Sequence, residues 1–175
     1  MDFEVIKIDN IKNKFFPFAW DIYEYSFPQD EKRTLFEQEE ILKNKNYNAF
    51  GYIKDGKLLA ILFFWSFGKY TYIEHFAVDR SIRGKSIGSK IMKLFLSKYK
   101  NVVLEIEPLN DEICKKRLEF YRKFNFIVNE YKHFQVPFRA ASKKLQLLFL
   151  SNNKKLKIDE YTFLYNKMEQ NLTIK

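Results

Sequence analysis

Residues 72–99 constrain the fold of this chain more than any other segment. A strand pattern leads into the basic turn Arg83-Gly-Lys-Ser-Ile-Gly88 and then into a helix with one apolar face, formed by Ile87, Ile91, Leu94 and Phe95. Backbone N–H groups at a helix N-terminus bind anions, and Arg83 and Lys85 add positive charge beside them. The segment therefore predicts a strand–loop–helix unit whose turn holds a diphosphate. An ordinary strand-to-helix turn is the alternative.

Further strands and two helices are predicted ahead of this unit. The strand patterns lie at residues 3–8, 48–53, 58–67 and 70–78. Asp55-Gly56 suits a two-residue hairpin turn, so these strands are predicted to be antiparallel. Helical spacing is found at residues 11–26 and 34–42, where Thr34 and Glu37 form a capping box.

The chain directly beyond the loop predicts a parallel strand and one more helix. A strand pattern at residues 101–108 follows the helix, and such a crossover makes it parallel to the strand before the loop. Asn110, Asp111 and Glu112 cap the next helix, and Asn125 ends it in a left-handed conformation. Its apolar face is formed by Ile113, Arg117 (by its stem), Phe120, Tyr121 and Phe124.

Two closing strands and a helix complete the predicted elements. They lie at residues 126–136, 144–150 and 158–168. The prediction is an α/β fold with a mixed central sheet, in which antiparallel N-terminal strands lead to a parallel crossover pair and helices flank the sheet.

Length and charge narrow the class of protein. A chain of 175 residues, 46% of them hydrophobic, is predicted to form one domain with one core. The formal charge of +9 is spread along the chain rather than concentrated in a basic block, which disfavours nucleic acid as a partner. The longest apolar run, residues 58–65, is far shorter than the roughly 18 residues that a membrane helix needs. A membrane partner is therefore not expected.

The cysteine and histidine content and the N-terminal residues indicate the cellular location and whether a metal site is expected. The single cysteine, Cys114, cannot form an intrachain disulfide, and the N-terminus lacks a signal-peptide pattern, so a cytoplasmic location is predicted. His75 and His133 are predicted to be structural or exposed, and no metal site is expected. Cys114 is interpreted as a packed residue without a role in catalysis, although its place near a helix start could lower the pKa of its thiol.

Two motifs together resemble the GNAT superfamily of acetyl-CoA-dependent N-acetyltransferases. The first is Phe76-Ala-Val-Asp79 with the loop at residues 83–88, and the second is the Phe120-Tyr121 pair near the end of the later helix. The close match covers residues 73–126. Ser86 stands where the family usually has Gly or Ala, and Asn125 stands where Gly is usual. The resemblance implies one GNAT-like domain over residues 1–175, with residues 127–175 as its C-terminal strands and helix.

The resemblance also implies roles for individual residues. The backbone of Phe76, Ala77 and Val78 would pair with the pantetheine arm of acetyl-CoA, and the Val78 N–H would polarise the thioester carbonyl. Asn110 would lie near the pantetheine, and Tyr121 would protonate the departing thiolate. A core aromatic residue is the alternative for Tyr121. The residues that would hold the pyrophosphate are Arg83, Gly84, Lys85, Ser86, Ile87, Gly88 and Ser89.

Carboxylates on the two strands beside the loop are the candidates for the general base. Glu74 shares strand parity with Phe76 and Val78, whereas Glu105 and Glu107 share one face of the parallel strand. A buried carboxylate is costly unless function or a salt bridge to a lysine explains it. Glu74 is predicted to be the base, with Glu105 as the second candidate.

The sequence therefore predicts an N-acetyltransferase that transfers an acetyl group to a primary amine of a small molecule or peptide by direct attack. Residues 135–139 are candidates for the acceptor pocket, or form an ordinary strand exit. A catalytically idle acyl-CoA-binding sensor and a basic nucleic-acid-binding module are the alternatives. Neither the acceptor nor the oligomeric state is encoded in a readable pattern, and a homodimer is left open.

Overall fold

The computed structural model describes residues 3–138 and 145–174. The strands are β1 (Glu4–Lys7), β2 (Tyr47–Lys54), β3 (Lys57–Phe67), β4 (Tyr70–Val78), β5 (Val102–Ile106), β6 (Phe126–Phe134) and β7 (Gln146–Asn152). The helices are α1 (Phe16–Ser26), α2 (Leu35–Leu42), α3 (Ile87–Lys98), α4 (Glu112–Arg122) and α5 (Ile158–Asn171). Two short 3-10 helices span Gln29–Glu31 and Arg80–Ile82.

The strands form one mixed sheet in the order β1-β2-β3-β4-β5-β7-β6. β4 and β5 are parallel, and the other neighbouring strands are antiparallel. This arrangement confirms the predicted α/β fold with its parallel crossover pair. In the β2–β3 turn, Asp55 and Gly56 have φ angles of 50° and 73°, as a type I′ turn requires at both central positions.

Helices cover both faces of the sheet. On one face, Tyr23 of α1, Ile41 of α2 and Leu164 of α5 belong to one buried cluster. On the other face, Ile91 of α3 and Leu118 of α4 belong to a second cluster. In the described part of the chain, no helix has an apolar stretch long enough to cross a bilayer.

A bulge and an early end of strand pairing open the sheet between β4 and β5. The β3–β4 register passes from Phe63 opposite His75 to Phe64 opposite Ile73, so Glu74 is the extra residue of a β-bulge. β4 pairs with β5 at residues 71–73 and 102–104, and the ladder ends there. Since the two strands diverge beyond this point, a cleft opens between their C-terminal halves.

Several predicted boundaries differ from the structure. α1 begins at Phe16 rather than at residue 11, because Pro17 occupies the first turn, a position that proline favours. β6 ends at Phe134, two residues early, and α5 continues to Asn171. β7 begins at Gln146, and the predicted start of this strand at residue 144 lies outside the described residues.

Two predicted helix faces need correction. Ile113 is 69% exposed, whereas Cys114 and Leu118 are buried. The reason is the N-cap: the Asp111 carboxylate accepts the Cys114 N–H at 2.7 Å, which turns Ile113 outward. In α3, Met92 is fully buried, and the predicted core residue Leu94 is only partly buried.

Candidate active site

A cavity of about 400 Å³ lies where β4 and β5 diverge. Its walls come from both strands, the first turn of α3, the inner side of α4 and the segment that follows α1. The predicted site residues that line it are Glu74, Phe76, Ala77, Val78, Arg83, Gly88, Glu105 and Tyr121. Asn110 is exposed in the turn before α4 and is not among the lining residues.

The basic loop ends in a helix N-terminus that faces this cavity. Gly84 and Ser86 have φ angles of 81° and 58°, so the chain makes a left-handed turn before α3 begins. The first helical hydrogen bond runs from the Lys90 N–H to the Ser86 carbonyl at 3.1 Å. The N–H groups at residues 87–89 therefore have no acceptor within the helix, and they can bind an anion.

Gly88 marks the closest approach of this turn to the cleft. A Cβ atom built at Gly88 would lie 3.4 Å from Val78 Cγ2 and 3.8 Å from rings of Phe76 and Phe120. A methyl group fits this space, whereas a longer side chain would have to project into the cleft. The turn at residues 83–88 therefore leaves space for a ligand that contacts its backbone.

The free edge of β4 runs from this turn into the cleft. The Asp79 N–H donates to the Leu59 carbonyl at 2.9 Å, so Asp79 and Ala77 face β3. Because alternate residues of a strand face opposite neighbours, the backbone groups of Phe76 and Val78 face the cleft. Arg83 Nε confirms this direction, since it donates to the Val78 carbonyl at 3.1 Å.

Tyr121 lies on α4 across the cavity from β4. Its side chain is 8% exposed, and its hydroxyl has no hydrogen-bond partner among the described residues. Burial raises the pKa of Tyr121 to about 12, so the hydroxyl keeps its proton at neutral pH. The ring packs edge-on against Phe126 at 5.5 Å. A packed ring with an unpaired hydroxyl can serve as a proton donor toward the cavity.

Glu74 is held in a structural ion pair, which argues against the predicted role as base. Its carboxylate accepts hydrogen bonds from Arg33 at 2.5 and 2.8 Å and from Trp65 Nε1 at 3.0 Å, and both charged side chains are fully buried. Burial alone would raise the pKa of Glu74, but the Arg33 guanidinium and neighbouring donors hold it well below its usual range. A carboxylate whose oxygens already accept hydrogen bonds from an arginine and a tryptophan is a poor proton acceptor.

Glu105 belongs to a second buried network. Its oxygens accept hydrogen bonds from the Tyr72 hydroxyl at 2.6 Å and from His133 Nε2, whose Nδ1 lies 2.9 Å from the Tyr161 hydroxyl. His133 is fully buried and His75 is 2% exposed, so both histidines are structural in position, as one of the two predicted readings had it. Glu105 nevertheless lines the cavity.

Glu31, which sequence reasoning missed, is a further carboxylate that lines the cavity. It lies in the short 3-10 helix after α1, and its carboxylate makes no hydrogen bond or ion pair with another described residue. Burial, and then the nearby carboxylate of Glu107, raise the pKa of Glu31 to about 7. His75 Nε2 donates to the Glu31 backbone carbonyl at 2.8 Å and fixes this segment against β4. No local sequence pattern distinguishes Glu31 from its neighbour Asp30.

Glu107 and Cys114 are the other titratable residues that the sequence singled out near the site. Glu107 forms an ion pair with Arg117 of α4. Cys114 is buried, and burial together with the Asp111 carboxylate raises the pKa of its thiol, contrary to the lowering that its place near a helix start suggested. No group of side chains in the described ranges has a composition and geometry that could hold a metal ion.

A split sheet, a helix N-terminus at its opening and a free strand edge together form a cleft that can bind an extended, anionic ligand. The model of the acetyltransferase (GNAT) family matches residues 10–126. The chain therefore belongs to the acetyltransferase (GNAT) family.

Individual relatives agree with this assignment. The protein named "Putative acetyltransferase YjbC" from Bacillus subtilis (strain 168) is 29% identical over 134 residues, which cover 71% of this chain and 66% of that protein, just under two thirds of its length. The structure titled "Putative acetyltransferase from GNAT family" from Bacteroides thetaiotaomicron has a TM-score of 0.87 at 22% identity, over 100% of both chains.

A second similar structure contains the expected cofactor. It is a GNAT family acetyltransferase from Elizabethkingia anophelis with acetyl-CoA bound, and it has a TM-score of 0.58 at 14% identity, over 86% of this chain and 97% of that chain. At this identity the likeness shows the shared fold.

Proposed function

We propose that this acetyltransferase moves an acetyl group from acetyl-CoA to a primary amine by direct attack in a ternary complex. One observation carries the proposal: a single cavity joins the anion-binding turn, the free edge of β4, the unpaired Tyr121 hydroxyl and the unpaired Glu31 carboxylate. Members of the family act on amine acceptors of several kinds.

The donor half of the cleft fits acetyl-CoA, which supplies the activated thioester carbonyl. The N–H groups at residues 87–89, with Arg83 and Lys85 nearby, would bind the pyrophosphate. The outward backbone groups of Phe76 and Val78 would pair with the amides of the pantetheine arm as an added strand does. The Val78 N–H would then stabilise negative charge on the carbonyl oxygen, and one such donor contributes about 3 kcal/mol.

Proton transfer is assigned to two residues on opposite sides of the cavity. An amine attacks only after it has lost a proton, and a base with a pKa near the working pH is best suited to take it. Glu31 meets this condition, whereas Glu74 is committed to Arg33. Tyr121 remains protonated at neutral pH and would donate its proton to the departing thiolate.

A thiol-release screen with acetyl-CoA tests this proposal. Polyamines, amino acids, aminoglycosides and peptides are offered as acceptors, and free CoA is measured together with the acetylated product. We expect at least one class of amine to accelerate CoA release. Tight binding of acetyl-CoA with no release above the hydrolytic background for any amine would contradict the proposal and favour an acyl-CoA sensor.

A further inference from the structure

The acceptor half of the cavity contains more negative charge than a single amine needs. Four glutamates line it: Glu31, Glu74, Glu105 and Glu107. Glu74 is neutralised by Arg33, and Glu107 is neutralised by Arg117. Within the described residues, Glu31 and Glu105 form no ion pair with an arginine or lysine, although the formal charge of the chain is +9.

The hydrogen bonds of Glu105 fix its orientation, because the Tyr72 hydroxyl and His133 Nε2 both contact its carboxyl oxygens. Both of its oxygens accept hydrogen bonds, which is the pattern of a carboxylate. His133 is in turn fixed by the Tyr161 hydroxyl, which lies 2.9 Å from its Nδ1. Glu105 is thus held in place, and it has no arginine or lysine partner in the described part of the chain.

An unpaired amide that lines the same cavity as Glu105 gives independent evidence for a polar ligand. Gln135 lines the cavity and is only 7% exposed, yet its side-chain amide has no hydrogen-bond partner in the described ranges. Gln135 and His133 have the same strand parity, so the amide faces the side of the sheet on which His133 meets Glu105. The amide oxygen of Gln135 can therefore accept a hydrogen bond from an N–H group of a ligand in the cavity.

We infer that the acceptor carries a second ammonium group besides the amine that is acetylated, and that Glu105 and Gln135 bind this second group. The inference rests on the proposed acetyl transfer, because it names the class of amine that enters the same cavity. Glu31 receives the proton of the attacking amine, while Glu105 balances the charge that stays on the acceptor. A polyamine and a polyaminated sugar share this chemistry, and peptides with a lysine side chain share it as well.

Acceptors of equal length that differ only at the far end separate charge from size. We propose diaminobutane, butylamine, aminobutanol and aminobutyrate, whose far ends are cationic, apolar, polar and anionic. A second pair, diaminohexane and hexylamine, covers a longer spacing. An unscreened ion pair in a cavity discriminates strongly, so we expect kcat/KM for the diamine to exceed that for its matched monoamine by at least roughly tenfold, with aminobutyrate poorest.

Two variants assign the effect to Glu105. The substitution Glu105→Gln keeps an oxygen acceptor and removes the charge, and it is expected to bring the diamine-to-monoamine ratio of kcat/KM close to one. The matched control Glu130→Gln removes an 83% exposed carboxylate of β6, which pairs with Lys155, and is expected to leave the ratio unchanged. A ratio that persists in Glu105→Gln would overturn the assignment.

Calorimetry separates failure of this inference from failure of the proposed function. Diamine and monoamine are titrated into the protein saturated with CoA, where no reaction occurs. Preferential binding of diamines that disappears in Glu105→Gln supports the inference. Equal affinity for both amines, or equal turnover of both, overturns it and leaves the acetyl transfer intact. Polyaminated sugars and lysine peptides, tested last, then identify the source of the second ammonium group.

Discussion

The substitution Glu31→Gln is expected to stabilise the protein and to impair catalysis. Glu31 becomes ionised only as the pH rises past about 7, because burial and the Glu107 carboxylate oppose its charge in this partly buried position. Glutamine has nearly the same shape and no charge. Removal of the charge therefore relieves an unfavourable interaction in the folded state, and it also removes the proposed proton acceptor.

The magnitude follows from the raised pKa. A rise from 4.5 to about 7 corresponds to about 3 kcal/mol, since each pKa unit is worth about 1.4 kcal/mol. We discount this to about 1–2 kcal/mol because water screens a side chain that is partly exposed. Folded and unfolded states are both protonated well below pH 4.5. The cost begins as pH rises past 4.5, where the unfolded state ionises, and it is complete above about pH 7.

Thermal unfolding of the wild type and Glu31→Gln across this pH range measures the effect. The variant should match the wild type near pH 4 and melt roughly 2–8 °C higher at pH 8. In the acetyl transfer assay, kcat/KM of the wild type should rise through about pH 7. Glu31→Gln should lose this rise and lower turnover by about 10²–10⁴-fold, the usual contribution of a general base.

The same substitution at Glu74 should have the opposite effect on stability. Glu74→Gln leaves the fully buried Arg33 guanidinium without its anion, and breaking such a pair costs about 3–5 kcal/mol. The free energy of unfolding should therefore fall. If Glu31→Gln melts lower than the wild type at pH 8, or keeps the pH dependence of the wild type, the reasoning about Glu31 is refuted.

Substitutions at three other residues test two parts of the site and one turn of the fold. Tyr121→Phe keeps the packed ring and removes the hydroxyl, so turnover should fall while acetyl-CoA affinity stays within about twofold. Unchanged turnover would show that Tyr121 is a core aromatic residue without a role in proton transfer. Gly88→Glu should abolish acetyl-CoA binding in calorimetry, and Gly88→Ala, whose methyl group fits, should retain it; equal affinities would exclude the turn as the pyrophosphate site. Asn125 has a φ of 61°, so Asn125→Gly should be tolerated and Asn125→Val should lower the free energy of unfolding by about 1–2 kcal/mol; equal stability of both would contradict the strain argument.

Features encoded by local sequence were predictable. The hairpin at Asp55-Gly56 depends on two neighbouring φ angles, and the capping box of α2 depends on Thr34 and Glu37, which bond as predicted. The left-handed conformation of Asn125 is also as predicted. The parallel pair β4–β5 follows from one crossover helix. Each of these depends on residues close in sequence, where propensity and spacing carry the information.

The roles of the carboxylates depend on contacts that spacing does not encode. Glu74 pairs with Arg33, which lies 41 positions earlier and comes from the segment ahead of α2. The sequence predicted a salt bridge to a lysine as the alternative to function, and the structure supplies an arginine. Glu31 enters the cavity because His75 holds its backbone carbonyl, a contact over 44 positions. Strand parity placed Glu74 and Glu105 near the cleft, but their partners decide which carboxylate stays free.

The central claim is direct transfer of the acetyl group from acetyl-CoA to an amine inside one cavity. Mass spectrometry of a reaction mixture that contains the protein, acetyl-CoA and an accepted amine tests it most directly. We predict one N-acetylated amine for every CoA released and no acetyl group retained on the protein at any time. CoA release without acetylated amine, or an acetylated protein that forms and decays during turnover, would contradict the account.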